Sequence, residues 1–109
     1  MTPEDRFDAL VTEVSHVDGV SRPAGGRRFG APALRRHGRI VAMLADGCLV
    51  VKLPRYRVDE LVAAGAGVRY DAHRGRPMKE WFVLAADSPL SWTALTGEAL
   101  AHAGERPPA

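Results

Sequence analysis

The chain has a single cysteine, Cys48, and only two lysines, Lys52 and Lys79. One cysteine excludes an internal disulfide, so we expect the protein to work in a reducing compartment, the cytoplasm. The sequence opens without a signal-peptide pattern. No apolar run reaches the roughly 18 residues that cross a bilayer, so we expect no membrane partner.

Patterns of catalysis and metal binding are also missing. Four histidines fall on separate predicted elements, and none is spaced from another, or from Cys48, as metal ligands are. Cys48 is interpreted as a small strand residue, because a nucleophilic thiol needs a neighbouring base. We therefore expect no metal, no cofactor, no catalytic residue and no enzymatic activity. An enzyme or ligand carrier that uses Lys52 and Lys79 is a third alternative, since acid–base chemistry needs a partnered group.

Composition predicts one globular domain. The chain has 109 residues, of which 46% are apolar and 26% charged, as in ordinary single domains. We place the domain at residues 1–104 and interpret residues 105–109 as a frayed tail.

Charge is unevenly distributed, although the net charge is only +2. Between Arg22 and Lys79 there are thirteen basic and four acidic residues, whereas both ends of the chain are acidic. Such a pattern suits nucleic acid or another polyanion, and basic residues at hairpin tips suit phosphate contacts. Two alternatives stay open, a GC-rich coding sequence and charge placed at turns for solubility. The candidate polyanion-binding residues are Arg27, Arg28, Arg35, Arg36, Arg39, Arg55 and Arg57.

Three helices are predicted. Thr2-Pro3 is a capping start, and a helical apolar stripe follows until Asp18-Gly19. A short helix after Pro54 stops at Gly65. Ser88-Pro89 predicts the start of the last helix, which carries Trp92 on its apolar face. Trp81, Phe82 and Trp92 are interpreted as core aromatics, with the alternative that one of them lines a groove.

A β-hairpin is the clearest local prediction. Residues 40–45 and 48–53 are aliphatic runs joined by Asp46-Gly47, a dipeptide suited to a two-residue turn with positive φ. That turn pairs Ala45 with Cys48, Met43 with Val50 and Val41 with Lys52. One hairpin face is entirely apolar and is expected under the helices. The other face supplies the candidate interface residues Val41, Met43, Val50 and Lys52, covered by a second subunit or by the protein's own C-terminal segment.

Further strands are expected at residues 29–36, 68–71 and 80–84, with Pro32 marking an edge or a bulge. The predicted order is α-β-β-β-α-β-β-α. This is an α+β domain with an antiparallel sheet of about five strands and N-terminal, inserted and C-terminal helices.

The segments RRFGAPAL, GRIVAML followed by DGCLVVKLP, and GRPMKEWFVL resemble the TfoX/Sxy N-terminal domain family. They are more distantly similar to YjbR-type domains, which are often labelled DNA-binding. The resemblance spans roughly Phe7 to Ala103 and implies an α+β fold with a non-enzymatic role. Full-length members, linked to competence and transcription, carry a second helical domain that does not follow here before Ala109. The family offers no catalytic residues to carry over.

The expected function is a cytoplasmic binding module in transcriptional or DNA-associated regulation, with nucleic acid or a regulatory protein as partner. The alternative is a protein-interaction module that forms a homodimer through the second hairpin face. These two functions require different surfaces, arginine-rich turns for the first and an open aliphatic face for the second.

Overall fold

Nine secondary-structure elements make up the described parts of the chain. The structure is a computed structural model and describes residues 2–21, 33–71 and 78–105. The elements are, in chain order, α1 Pro3–Val14, β1 Val20–Ser21, β2 Ala33–Arg36, β3 Arg39–Ala45, β4 Cys48–Lys52, α2 Arg55–Ala63, β5 Gly67–Arg69, β6 Trp81–Leu84 and α3 Trp92–Glu105.

The strands form one six-stranded antiparallel sheet in the order β1-β2-β3-β4-β6-β5. The predicted α+β class is confirmed. A sixth strand, β1, was not expected, because two residues are too short to show a period-2 pattern. Helix α2 links β4 to β5, which run parallel to each other with β6 inserted between them.

The predicted turn at Asp46-Gly47 is confirmed. Its residues have φ of 50° and 77°, the positive values that a two-residue hairpin turn requires. Ala45 pairs with Cys48 and Met43 with Val50, as the sequence predicts. The turn between β2 and β3 is of the same kind, with φ of 52° at His37 and 80° at Gly38.

One part of the predicted register is wrong, because β3 contains a bulge. Leu34 pairs with Ala42 and Arg35 with Ile40, which leaves Val41 as an extra residue. The paired register with β4 ends at Ala42, one residue short of the expected pairing of Val41 with Lys52. Val41 is 1% exposed and belongs to the main core. The bulge re-aims its side chain away from the face that carries Met43.

All three helices contribute to one core on a single face of the sheet, the covered face. The sheet side of this core includes Leu44, Leu49, Val51 and Phe82, each at most 4% exposed. The expectation that the all-apolar hairpin face lies under the helices therefore holds, except for Ile40, which pairs with exposed Arg35. Each large aliphatic side chain buried here contributes about 1.5–3 kcal/mol.

Hydroxyl caps set the helix starts. The Asp5 N–H donates to Thr2 Oγ1 at 3.1 Å and the Thr2 N–H to Asp5 Oδ2 at 3.2 Å, a capping box that begins α1. Helix α1 ends at Val14, before the predicted stop at Asp18-Gly19. The last helix begins at Trp92 rather than at Ser88-Pro89, because the Ser91 hydroxyl accepts the Ala94 N–H at 3.1 Å.

Candidate functional site

Cationic side chains gather at one end of the sheet. In an antiparallel sheet the ends of β2 and β4 lie beside the starts of β3 and β6, as the pairs Arg36–Arg39 and Lys52–Trp81 show. Arg55 follows β4 closely, and Lys79 immediately precedes β6. We call this region the basic end, and its members are Arg35, Arg39, Lys52, Arg55 and Lys79.

The opposite end of the sheet carries carboxylates. It contains Asp46 in the β3–β4 turn and Asp87 just after β6. The start of α1, with Glu4, also lies there, since a Cβ on Gly47 would be 3.6 Å from Pro3 Cγ. We call Glu4, Asp46 and Asp87 the acidic end. The domain is therefore electrically polarised along its strands.

Lys52 lies at the centre of the basic end, between two depressions. A small one beside α3 is lined by Arg39, Val41 and Lys52 together with Ala99, His102 and Ala103. A wider one, here called the groove, encloses about 430 Å³ and is lined by Lys52, Arg55, Met78, Lys79, Glu80 and Trp81. In the groove three cations outnumber one carboxylate. The Lys52 Nζ lies 5.9 Å from the centroid of the Trp81 ring, within cation–π range.

These cations lack counter-charges from the protein. Within residues 2–21, 33–71 and 78–105, Arg39, Arg55 and Lys79 form no ion pair. The first turn of α2 also has no acidic residue, although the positive end of a helix dipole favours anions. Cations clustered beside a helix N-terminus create a positive potential that attracts an anion from solution.

Two of the candidate arginines serve the fold instead. Arg36 reaches toward the helices, where its Nε donates to Asp18 O at 2.9 Å and its Nη1 to Leu100 O at 2.7 Å. Arg57 donates through Nε and Nη2 to the two carboxylate oxygens of Glu98 at 2.8 and 3.2 Å. This hydrogen bond is the main reason why the pKa of Arg57 is raised. Both cations are therefore committed to partners within the protein.

The remaining candidates divide into two groups. Arg35, Arg39 and Arg55 are exposed at the basic end. Arg27 and Arg28 fall outside the described residues.

The second face of the sheet, here called the open face, is lined by Met43, Val50, Lys52, Val68, Trp81 and Val83, as the strand register shows. Val50 is fully buried in the central strand, whereas Met43 and Lys52 are half-buried and Val68 is 61% exposed. Val41, the fourth interface candidate, lies in the core. Helix α3 packs on the covered face, so the described C-terminal segment does not cover the open one.

Sequence reasoning missed part of the groove. Trp81 is only half-buried, whereas Phe82 and Trp92 are core residues, with exposed fractions of 0% and 7%. The period-2 alternation of a strand was the available signal, because it sends Trp81 and Phe82 to opposite faces. Met78 gave no signal. The lysines were singled out in the sequence, but nothing local showed that Lys52 and Lys79 lie together.

Other features of the described chain are plain. In residues 2–21, 33–71 and 78–105, no three His, Cys, Asp or Glu side chains are grouped as a metal site would need. Among the same residues, no helix combines the length and apolar character of a membrane span. Comparisons with protein-family models, with curated proteins and with solved structures find no match to this chain. The resemblance to the TfoX/Sxy N-terminal domain therefore stays a prediction.

Proposed function

We propose that the protein is a non-enzymatic, cytoplasmic module that binds nucleic acid through its basic end. The observation that carries this proposal is the placement of Arg35, Arg39, Lys52, Arg55 and Lys79 together at one end of the sheet. The predicted family resemblance adds a role in transcriptional or DNA-associated regulation.

The polarity of the domain supports a phosphate backbone as the ligand. The acidic end repels a polyanion while the basic end attracts it, so the protein approaches its ligand in one orientation. Lysine and arginine contacts to phosphates release counterions, which makes binding depend steeply on salt. With five contacts, affinity falls roughly 100- to 1,000-fold between about 50 and 200 mM salt.

Fluorescence anisotropy with labelled DNA tests this proposal. We expect wild-type protein to bind at about 50 mM salt and to be released as salt rises. Arg55→Gln weakens binding because it removes one phosphate contact. Arg6→Gln is the matched control, since Arg6 lies on α1, stacked 4.1 Å from the centroid of the Trp92 ring, and not at the basic end. No binding by micromolar protein at low salt, or equal losses in the two variants, overturns the proposal.

Homodimerisation through the open face is the second candidate function. It is favoured by Val68, whose side chain is 61% exposed on the edge strand β5 beside half-buried Val83. Large exposed aliphatic side chains beside other apolar residues are typical of interaction surfaces. A second subunit would cover this face without contact to the helices.

Sedimentation velocity separates a dimer from a monomer. Val68→Asp is expected to dissociate a dimer, because it introduces a charge into the apolar interface. Tyr56→Asp is the matched control, since Tyr56 is 69% exposed on α2, away from the open face. A wild-type monomer at high concentration contradicts this second function.

A further inference from the structure

We propose that the groove binds single-stranded nucleic acid, with one base stacked on Trp81 and the flanking phosphates on Lys52, Arg55 and Lys79. This inference rests on the proposed function and names the form of nucleic acid that the basic end prefers. It starts from the position of Trp81, which neither charge pairing nor core packing explains.

Trp81 is the first residue of β6 and points to the open face, opposite Lys52. Its neighbour Phe82 is fully buried on the covered face, so the core of the domain is complete without the indole. A half-exposed tryptophan leaves an apolar ring partly in water. Such a ring offers a platform for a nucleic acid base, because every base has a π-face.

The cations surround this ring. Lys52 Nζ lies 5.9 Å from the ring centroid. Arg55 and Lys79 line the same groove, and neither forms an ion pair with another described residue. A stacking aromatic within a positively charged groove is the arrangement by which proteins bind single strands without reading their sequence.

The dimensions of the groove fit one nucleotide. Its volume of about 430 Å³ falls in the range of roughly 300–1,000 Å³ found for small-molecule sites. Met78 adds an apolar wall beside Trp81, and the cations line the same groove. The groove thus presents both a surface for a base and charges for its phosphates.

Base stacking is what distinguishes a single strand from a duplex here. In a duplex each base is stacked between its neighbours, and extruding one costs a few kcal/mol. A duplex therefore contacts only the cations of the basic end, whereas a single strand also contacts Trp81. Removal of the indole is expected to affect one form of nucleic acid and leave the other unchanged.

The experiment compares oligothymidine of about 12 nucleotides, a length within single-strand site sizes, with a duplex of equal length. For wild-type protein we expect tighter binding of the single strand, accompanied by quenching of tryptophan fluorescence. Trp81→Leu keeps an apolar side chain but removes the stacking ring, so single-strand affinity falls about 5- to 20-fold. Trp81→Phe, which retains an aromatic ring, keeps most of the affinity. Duplex binding and the salt dependence stay unchanged in both variants.

The fluorescence readout guards against misfolding of Trp81→Leu. Trp92 is only 7% exposed and lies in the core, so quenching by oligothymidine reports on Trp81 in the intact wild-type protein. Absence of quenching, or single-strand affinity in Trp81→Leu equal to that of wild type, overturns this inference while salt-sensitive binding sustains the proposed function. Failure of both nucleic acids to bind at low salt overturns the proposed function itself.

Discussion

The two faces of the sheet are built from similar aliphatic residues but differ in what lies against them. On the covered face, Leu49 and Val51 are fully buried beneath three helices. On the open face, Met43 and Val83 are half-buried, and the face ends at Lys52 and Trp81. Apolar composition alone therefore does not show which face is the core, because the packing of the helices decides it.

Arg35 and Arg36 make the same contrast with one residue type. Arg36 extends toward the helices and donates to two backbone carbonyls, whereas Arg35 is exposed and donates only to Gly38 O within its own turn. Successive strand residues point to opposite faces. One arginine therefore stabilises the fold and its neighbour remains available for a ligand.

The largest expected effect is that of Leu49→Ala. This change removes a fully buried side chain from the covered face and lowers the free energy of unfolding by about 2–5 kcal/mol. Met43→Ala on the open face is the comparison and costs only about 1 kcal/mol, since its side chain is half-buried. Urea denaturation measures both. Equal losses would show that the open face is packed as tightly as the covered one.

Arg36→Ala is expected to have the next largest effect. It removes the charged donor to Asp18 O and Leu100 O and costs about 1–3 kcal/mol. Arg35→Ala is the control, with a change below about 0.5 kcal/mol in stability and weaker binding of nucleic acid. Thermal unfolding and anisotropy give the two readouts. The comparison breaks down if Arg35→Ala destabilises the protein as much as Arg36→Ala.

Thr96→Val is expected to stabilise the covered face. Thr96 is fully buried in α3, and its hydroxyl finds no hydrogen-bond partner within the described chain. An isosteric methyl group removes that unsatisfied polar group and raises the free energy of unfolding by up to about 1 kcal/mol. Thr93→Val, at a half-buried position of the same helix, should bring no such gain. A loss of stability in Thr96→Val, measured by urea denaturation, contradicts this explanation.

Val68→Thr should have the smallest effect. The side chain is 61% exposed on the open face, and substitutions at such positions change stability by less than about 0.5 kcal/mol. Differential scanning calorimetry at low and high protein concentration measures it. A concentration-dependent drop in Tm relative to wild type would show instead that a second subunit covers Val68.

Local chemistry accounts for what the sequence could predict of the fold. The β3–β4 hairpin depends on two turn residues and adjacent aliphatic runs, and the start of α1 depends on Thr2 and its neighbours. Both are contacts between residues close in the chain. The start of α3 was placed too early because Ser88 and Ser91 offer similar caps, and only the folded chain shows that Ser91 is used.

Tertiary structure decides the rest. One extra residue at Val41 leaves the apolar pattern of β3 unchanged, so the sequence does not show the bulge. The basic end is equally hidden, because Lys52 and Lys79 become neighbours only when β6 inserts beside β4. Strand order in a sheet depends on contacts between distant residues. The candidate site could therefore be predicted by its residue types but not by its location.

The insertion of β6 between β4 and β5 has a consequence for synthesis of the protein. Until residues 81–84 have left the ribosome, the central strand β4 has one unpaired edge. An unpaired aliphatic strand edge readily pairs with another chain and promotes aggregation. The nascent chain therefore depends on the late arrival of one four-residue strand, and premature termination before Trp81 leaves a product prone to self-association.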